Sequence, residues 1–125
     1  MLKMDKREFL AIKTLAMPSD TNANGDIFGG WLVSQMDLAG GVLAKTLSQG
    51  RIVTVAINNT TFIAPVKVGD LVSCYVKKTR QGRTSINVEI EVWTENFCSS
   101  VNHKVAHGEF VYVAIDDDGK PRTIK

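Results

Sequence analysis

Apolar residues along the chain follow two different periods, and the boundary between them divides it into a helical part and a sheet-forming part. Phe9 to Met17 is a short apolar stretch that reads as an edge strand and is closed by Pro18. Ser19 to Gly30 is rich in turn residues, and its Asn-Gly and Gly-Gly steps favour positive φ, as in an ordered loop. Trp31 to Ser48 contains no proline. At about 100° per residue, Leu32, Met36, Ala39, Leu43 and Leu47 fall on one face, as an amphipathic helix requires. Gln49-Gly50 supplies its stop signal. Gly40-Gly41 in the middle costs roughly 1 kcal/mol per glycine relative to alanine, which implies that another backbone passes close by. Few side chains outside the apolar strip are charged, so the helix is expected to be largely wrapped by other structure.

Beyond Arg51 the pattern is that of strands. Ile52 to Ile63 is rich in Val, Thr, Ile and Phe, and Val68-Gly69-Asp70 turns into Leu71 to Lys78. Gln81-Gly82 turns into Thr84 to Thr94, where Ile86, Val88, Ile90 and Val92 alternate with mostly polar residues in the clearest period-two run of the chain. Phe110 to Ile115 repeats the alternation and ends in an Asp-rich turn at 116–119. A strand, a long helix and an uninterrupted antiparallel meander predict an α+β fold in which a single sheet curls around the helix. The alternative is a small α+β sandwich with the helix lying on one face.

The 125 residues fit a single domain, 1–125, able to bury its own core without disulfide or metal. A net charge of +2 gives no reason to expect a nucleic-acid partner. The charged amino terminus is unlike a signal peptide, and no apolar run approaches the ~20 residues of a membrane span. A cytoplasmic protein with no membrane contact is the expectation. Cys74 and Cys98 stand far apart with no CxxC or Cys/His spacing, so two buried free thiols are expected rather than a zinc or redox site. His103 and His107 are spaced to face the same way on a strand, but no third ligand accompanies them, so no metal is expected.

Candidate chemistry concentrates between Asp20 and Asp37. Asp20, Asn22, Asn24, Gly25, Asp26 and Ile27 match positions 1, 3, 5, 6, 7 and 8 of a calcium-binding loop, but the closing glutamate position holds Trp31 and no helix enters the loop. The same segment also reads as a glycine-rich loop feeding a helix N-terminus, whose free N–H groups and dipole favour an anion or a developing oxyanion. Asp37 is the only acid of the helix and shares a stripe with Ser34, Gly41, Lys45 and Ser48, away from the core strip. Spacing alone favours a solvated helix residue near Lys45.

Met17-Pro18-Ser19-Asp20-Thr21-Asn22-Ala23-Asn24-Gly25-Asp26-Ile27-Phe28-Gly29-Gly30-Trp31, with Met36-Asp37, resembles the signature of YciA-type acyl-CoA thioesterases. The likeness continues through Arg51 to Ala56, Phe62 to Asp70, Gly82 to Ile86 and Arg122-Thr123-Ile124, so it spans nearly the whole chain in order. It implies the hotdog fold, an antiparallel sheet wrapped around one long central helix. It also implies hydrolysis of acyl-CoA, with Asp37 as general base or nucleophile. Backbone N–H groups around Gly29 and Gly30 would polarise the thioester carbonyl, and Asn22 of a second subunit would assist. Asn24, Phe28, Val55, Arg83, Thr84 and Ser85 are the implied substrate contacts, with Trp31 and Phe62 as further candidates to line an acyl tunnel. Lys77, Lys78 and Arg80 flank Arg83 at one turn and would suit the phosphates of coenzyme A; a solubilising turn is the alternative.

Gly30 and Asp37 lie seven residues apart, roughly 10 Å along a helix axis. Two antiparallel helices in a dimer bring both to one carbonyl more easily than a single chain does. A homodimer at least is therefore expected, and the resemblance implies a trimer of dimers, as is often found in this family. No cofactor is expected, because coenzyme A arrives as part of the substrate. Two rivals stand beside hydrolysis. A 3-hydroxyacyl dehydratase would want a histidine in the loop or helix, and none is there. A non-catalytic acyl-CoA-binding or regulatory module is the other. Asn58-Asn59-Thr60-Thr61 departs from the family pattern, and the stretch from Asn96 to Asn102 is shorter than usual.

Overall fold

The computed structural model describes residues 8–96 and 101–124. Strand β1 (Glu8–Leu15) leads through a short 3-10 turn (Pro18–Asp20) and a loop into helix α1 (Gly29–Ser48). Four strands follow: β2 (Ile52–Phe62), β3 (Leu71–Gln81), β4 (Ser85–Glu95) and β5 (Asn102–Ala114). The five form one antiparallel sheet in the order β1-β3-β4-β5-β2. The expected meander therefore holds only for β3 to β5. β2 crosses to the far edge beside β5, and β1 takes the place next to β3. Alternation reports which face of a strand is apolar but carries no information about its neighbour.

Helix α1 packs its Leu32, Met36, Ala39, Leu43 and Ala44 against the inner face of the sheet. That face presents Val72, Cys74 and Val76 from β3, the alternating Ile86 to Val92 from β4, and Phe110, Tyr112 and Ala114 from β5. Bulges interrupt every strand pairing and help the sheet curl around the helix. The close approach predicted at Gly40-Gly41 is a side chain rather than a backbone. A methyl group on Gly40 would overlap the Tyr112 hydroxyl and meet Ile90, whereas one on Gly41 would find only ordinary contacts. The expected wrapping of the helix is incomplete in the single chain, because Leu38 and Val42 are exposed on the face turned away from the core.

The fifth strand begins eight residues earlier than the alternation suggests. Its first half is masked by Gly108 and by a bulge between Lys104 and Ala106, which resets the alternation. That bulge also separates the two histidines. His103 pairs with Thr94 of the inner face and His107 with Glu91 of the outer face, so they do not face the same way. Cys74 is buried and free, and burial pushes its thiol up to about 12; Cys98 lies outside the described residues.

Arg122 ties the open end together. Its guanidinium donates to the carbonyls of Ile115 at 2.9 Å, Ser48 at 3.0 Å and Arg51 at 3.4 Å, joining the end of β5, the last turn of α1 and the start of β2. The Ser48 carbonyl is one of the helix-end acceptors that α1 cannot satisfy internally. No helix among the described residues is long and apolar enough to cross a membrane.

Candidate active site

The loop before α1 is built by Asn22. Its side-chain carbonyl accepts from the N–H of Asn24 at 2.9 Å and of Asp26 at 3.2 Å, a side-chain mimic of a backbone turn. The Asn22 amide oxygen is thereby used within its own loop, and its NH2 group remains as an exposed donor. Asp20 turns back to accept from the Met17 N–H at 3.1 Å, and Asp26 forms an ion pair with Lys67. These acids close the loop on itself, and among the described residues no cluster of three or more metal-ligating side chains exists.

Helix α1 starts at Gly29, two residues before the predicted Trp31, with Phe28 as its N-cap and no side-chain cap. The N–H groups of Trp31 and Leu32 both reach the Phe28 carbonyl. Those of Gly29 and Gly30 have no acceptor among the described residues, and they belong to the orphan donors of a helix start. Beside them lies an apolar cleft of about 400 Å3 lined by Ile27, Leu32, Phe62, Ile63, Pro65 and Val66, with Gly29 at its wall. Phe62 contributes to this cleft, Phe28 is exposed at its side of the helix start, and Trp31 packs against the core instead.

Asp37 lies two turns into the helix, half-buried. Thr54 of β2 donates its hydroxyl to Asp37 Oδ1 at 2.7 Å. The Tyr112 hydroxyl, from β5, stands 3.0 Å from the Asp37 main-chain oxygen and 3.2 Å from Oδ1. Asp37 is thus not a solvated neighbour of Lys45. Its Oδ1 is anchored to the sheet, while Oδ2 has no hydrogen-bond partner among the described residues. Burial, then the charge of Asp37 and the hydrogen bond to it, hold the Tyr112 phenol well above its ordinary range, so it stays a donor. Sequence reasoning missed Thr54 and Tyr112 as site residues. Thr54 lies in a β-branched run and Tyr112 in an alternating one, and both patterns are fully accounted for by strand formation.

Val55 is the extra residue of the bulge that follows Thr54 and is exposed. Arg83 and Thr84 lie in the turn between β3 and β4, and Ser85 opens β4. The Arg83 carbonyl accepts from Ile124, the Thr84 carbonyl from Ala114 and the Ser85 carbonyl from Gly82. The Arg83 side chain is exposed, and Lys78 is turned to Gln81 at 3.2 Å. Within one chain, then, Asp37, Thr54 and Tyr112 come together, and the loop, the helix start and the basic hairpin form separate groups.

The Thioesterase superfamily model matches residues 24–96. The acyl-CoA thioester hydrolase YciA of Salmonella typhimurium is 52% identical over 118 residues, covering 92% of this chain and 89% of that protein. The chain belongs to the YciA-type acyl-CoA thioester hydrolases. Its hotdog fold agrees with solved structures of the family. The hexameric thioesterase of Yersinia pestis superposes with a TM-score of 0.90 at 51% identity, covering 94% of this chain and 95% of that one. A hexameric broad-specificity acyl-coenzyme A thioesterase, solved as an aspartate-to-alanine mutant, superposes at 0.92 with 48% identity over 94% of this chain and 86% of its own.

Proposed function

We propose that the protein hydrolyses acyl-CoA to free coenzyme A and a carboxylic acid, with Asp37 as the catalytic carboxylate at a site completed by a second copy of the chain. The observation that carries this reading is the division of labour within one carboxylate. Oδ1 is fixed by Thr54 at 2.7 Å, and Oδ2 is left without a partner among the described residues. A carboxylate held this way can take a proton from water, or attack a carbonyl, without first leaving a hydrogen bond.

As a general base, Asp37 removes a proton from water as the oxygen adds to the thioester carbonyl. The oxyanion that develops is met by the N–H groups of Gly29 and Gly30 and by the Asn22 amide. Collapse of the tetrahedral intermediate breaks the C–S bond. The proton held by Asp37 passes to the departing coenzyme A thiolate, so the carboxylate is restored. The reaction consumes one water and needs no cofactor. The acyl chain enters the cleft at Phe62 and Ile63, and the basic hairpin at Arg83, Thr84 and Ser85 receives phosphates of coenzyme A, with Asn24, Phe28 and Val55 at its edges.

The apolar surface exposed near Asp37 supports donation by a partner. Leu38 and Val42 of α1 and Val55, Ile57 and Phe62 of β2 are all exposed. Pairing two such edges would bury them and bring the helix start of one copy toward Asp37 of the other. A trimer of these dimers matches the hexameric assembly of the relatives. The free, buried Cys74 thiol fits a cytoplasmic setting. A dehydratase has no support, because His107 lies on the outer face five residues from Tyr112, roughly 17 Å along the strand.

The test is release of free thiol from a panel of acyl-CoA esters by wild type and Asp37→Asn. Turnover that falls about a thousandfold or more in the variant, with fold and coenzyme A binding retained, is the expected result. Binding of acyl-CoA by the wild type without thiol release would instead identify a binding module.

A further inference from the structure

We propose that Tyr112 is a positioning residue for Asp37, its buried hydroxyl seated in the notch at Gly40 and holding the carboxylate so that Oδ2 alone faces the substrate. The proposal rests on the reading of Asp37 as the catalytic carboxylate. Three observations point the same way.

The first is placement. Tyr112 is 1% exposed, yet its hydroxyl emerges at the helix and stands within hydrogen-bond distance of both the main-chain oxygen and Oδ1 of Asp37. A buried phenol needs a partner, and the Asp37 main-chain oxygen would be enough for that; the second acceptor is the candidate catalytic group itself.

The second is the helix. A side chain at position 40 would collide with the Tyr112 hydroxyl and with its ring carbon. Glycine in a helix interior is costly, and here it opens the space through which the phenol reaches the next turn.

The third is geometry around the carboxylate. Thr54 arrives from β2 and Tyr112 from β5, two strands that pair with each other at these very residues. Two donors fixed in one sheet leave the Asp37 side chain little freedom to rotate, so the orientation of Oδ2 is set by the sheet rather than by the helix.

The electrical surroundings are simple. β2 carries no charged residue. On β5, His107 and Glu109 belong to the outer face, and the residues of β4 that face the helix near Tyr112 are Ile86 and Ile90. Lys78 of β3 shares the helix side of the sheet but is turned to Gln81. On α1 itself Lys45 is the nearest charge along the stripe, two turns on, and none of the ion pairs among the described residues includes Asp37. A hydroxyl that only fixes where the carboxylate points is felt in kcat and not in substrate binding.

The experiment compares wild type, Tyr112→Phe and Asp37→Asn in kcat, KM and melting temperature with one acyl-CoA. Tyr112→Phe should lower kcat about tenfold and keep KM within about twofold, in protein that is fully folded at the assay temperature. An unchanged kcat in Tyr112→Phe, with Asp37→Asn inactive, overturns the positioning role and leaves the Asp37 reading standing. A loss of activity that only tracks loss of folded protein overturns it equally. Turnover in Asp37→Asn overturns the reading on which the proposal rests. Should Tyr112→Phe fail to fold, Gly40→Ala is the second probe, because its methyl group pushes the Tyr112 hydroxyl out of its notch. There too kcat should fall with KM held, and a folded Gly40→Ala with unchanged kcat overturns the proposal.

Discussion

β4 and β2 are both 11 residues long and both read as good strands, yet the molecule treats their apolar residues oppositely. β4 lies between β3 and β5, and its Ile86, Val88, Ile90 and Val92 are sealed under the helix. β2 has a neighbour on one side only, and Val55 and Phe62 are 54% and 49% exposed. The helix shows the same split, buried along Met36 and Leu43 and bare at Leu38, which is 60% exposed. One half of the apolar pattern is satisfied within the chain, and the other half stays uncovered in it. Asp37 sits on the seam between them. This apolar surface beside the candidate site is where the proposed second copy would dock.

A buried charge separates the two strands most severely. Val88→Lys places an unpaired ammonium in the core and should cost more than about 4 kcal/mol, enough to leave the chain unfolded by circular dichroism. The same change on the uncovered strand, Ile57→Lys, should leave a folded chain that sediments as a monomer. On the proposed shared site its thiol release should fall roughly a hundredfold, because the two halves would no longer meet. An unfolded Ile57→Lys would show that β2 is as integral to the single chain as β4.

A smaller perturbation separates the strands by how they are held. Arg122→Ala removes the three carbonyl contacts that join β2 and α1 to the end of β5. A loss of about 2 kcal/mol is expected in urea unfolding. Amide exchange should quicken at Ile52 and Val53 while the amides of β4 keep their protection. Uniform acceleration would mean that the sheet opens as one unit.

The smallest effect concerns the sealed side alone. The Cys74 thiol is raised from an ordinary 9.0 to about 12 in the fold. Between these values the unfolded chain loses the proton first, so the contribution is intact below pH 9 and declines as pH rises toward 12. The limiting slope for one such group is about 1.4 kcal/mol per pH unit. Urea titrations at pH 8 and about 10 should show wild type losing more stability than Cys74→Ala over that interval, although the variant starts lower because of its cavity.

Much of the fold was legible in the residues, and the reasons for the remainder are specific. Helix α1 declared itself through Leu32, Met36, Ala39 and Leu43, and β4 through an unbroken alternation, because each buries one face against the other. β5 was half hidden because a bulge resets its parity, and the crossing of β2 left no mark in any local pattern. Asp37 stood out only through the likeness of its surroundings to a known family; spacing favoured a solvated residue. Thr54 and Tyr112 were invisible as site residues, since a β-branched or aromatic residue in a strand needs no explanation beyond the strand. What makes them partners of Asp37 is the pairing of β2 with β5, a contact between residues far apart in the chain.

The adjacent glycines of α1 give this helix an uneven tolerance for improvement. Replacing helical glycine by alanine is a routine way to raise thermal resistance, worth roughly 1 kcal/mol where a methyl group fits. Gly41 has that room and should accept the change with a higher melting temperature. Gly40 does not, because its missing methyl group is the space in which the Tyr112 hydroxyl sits. Neighbours that a substitution table would treat alike thus have opposite prospects, and any breeding of a hardier enzyme from this chain has to pass through one of them and around the other.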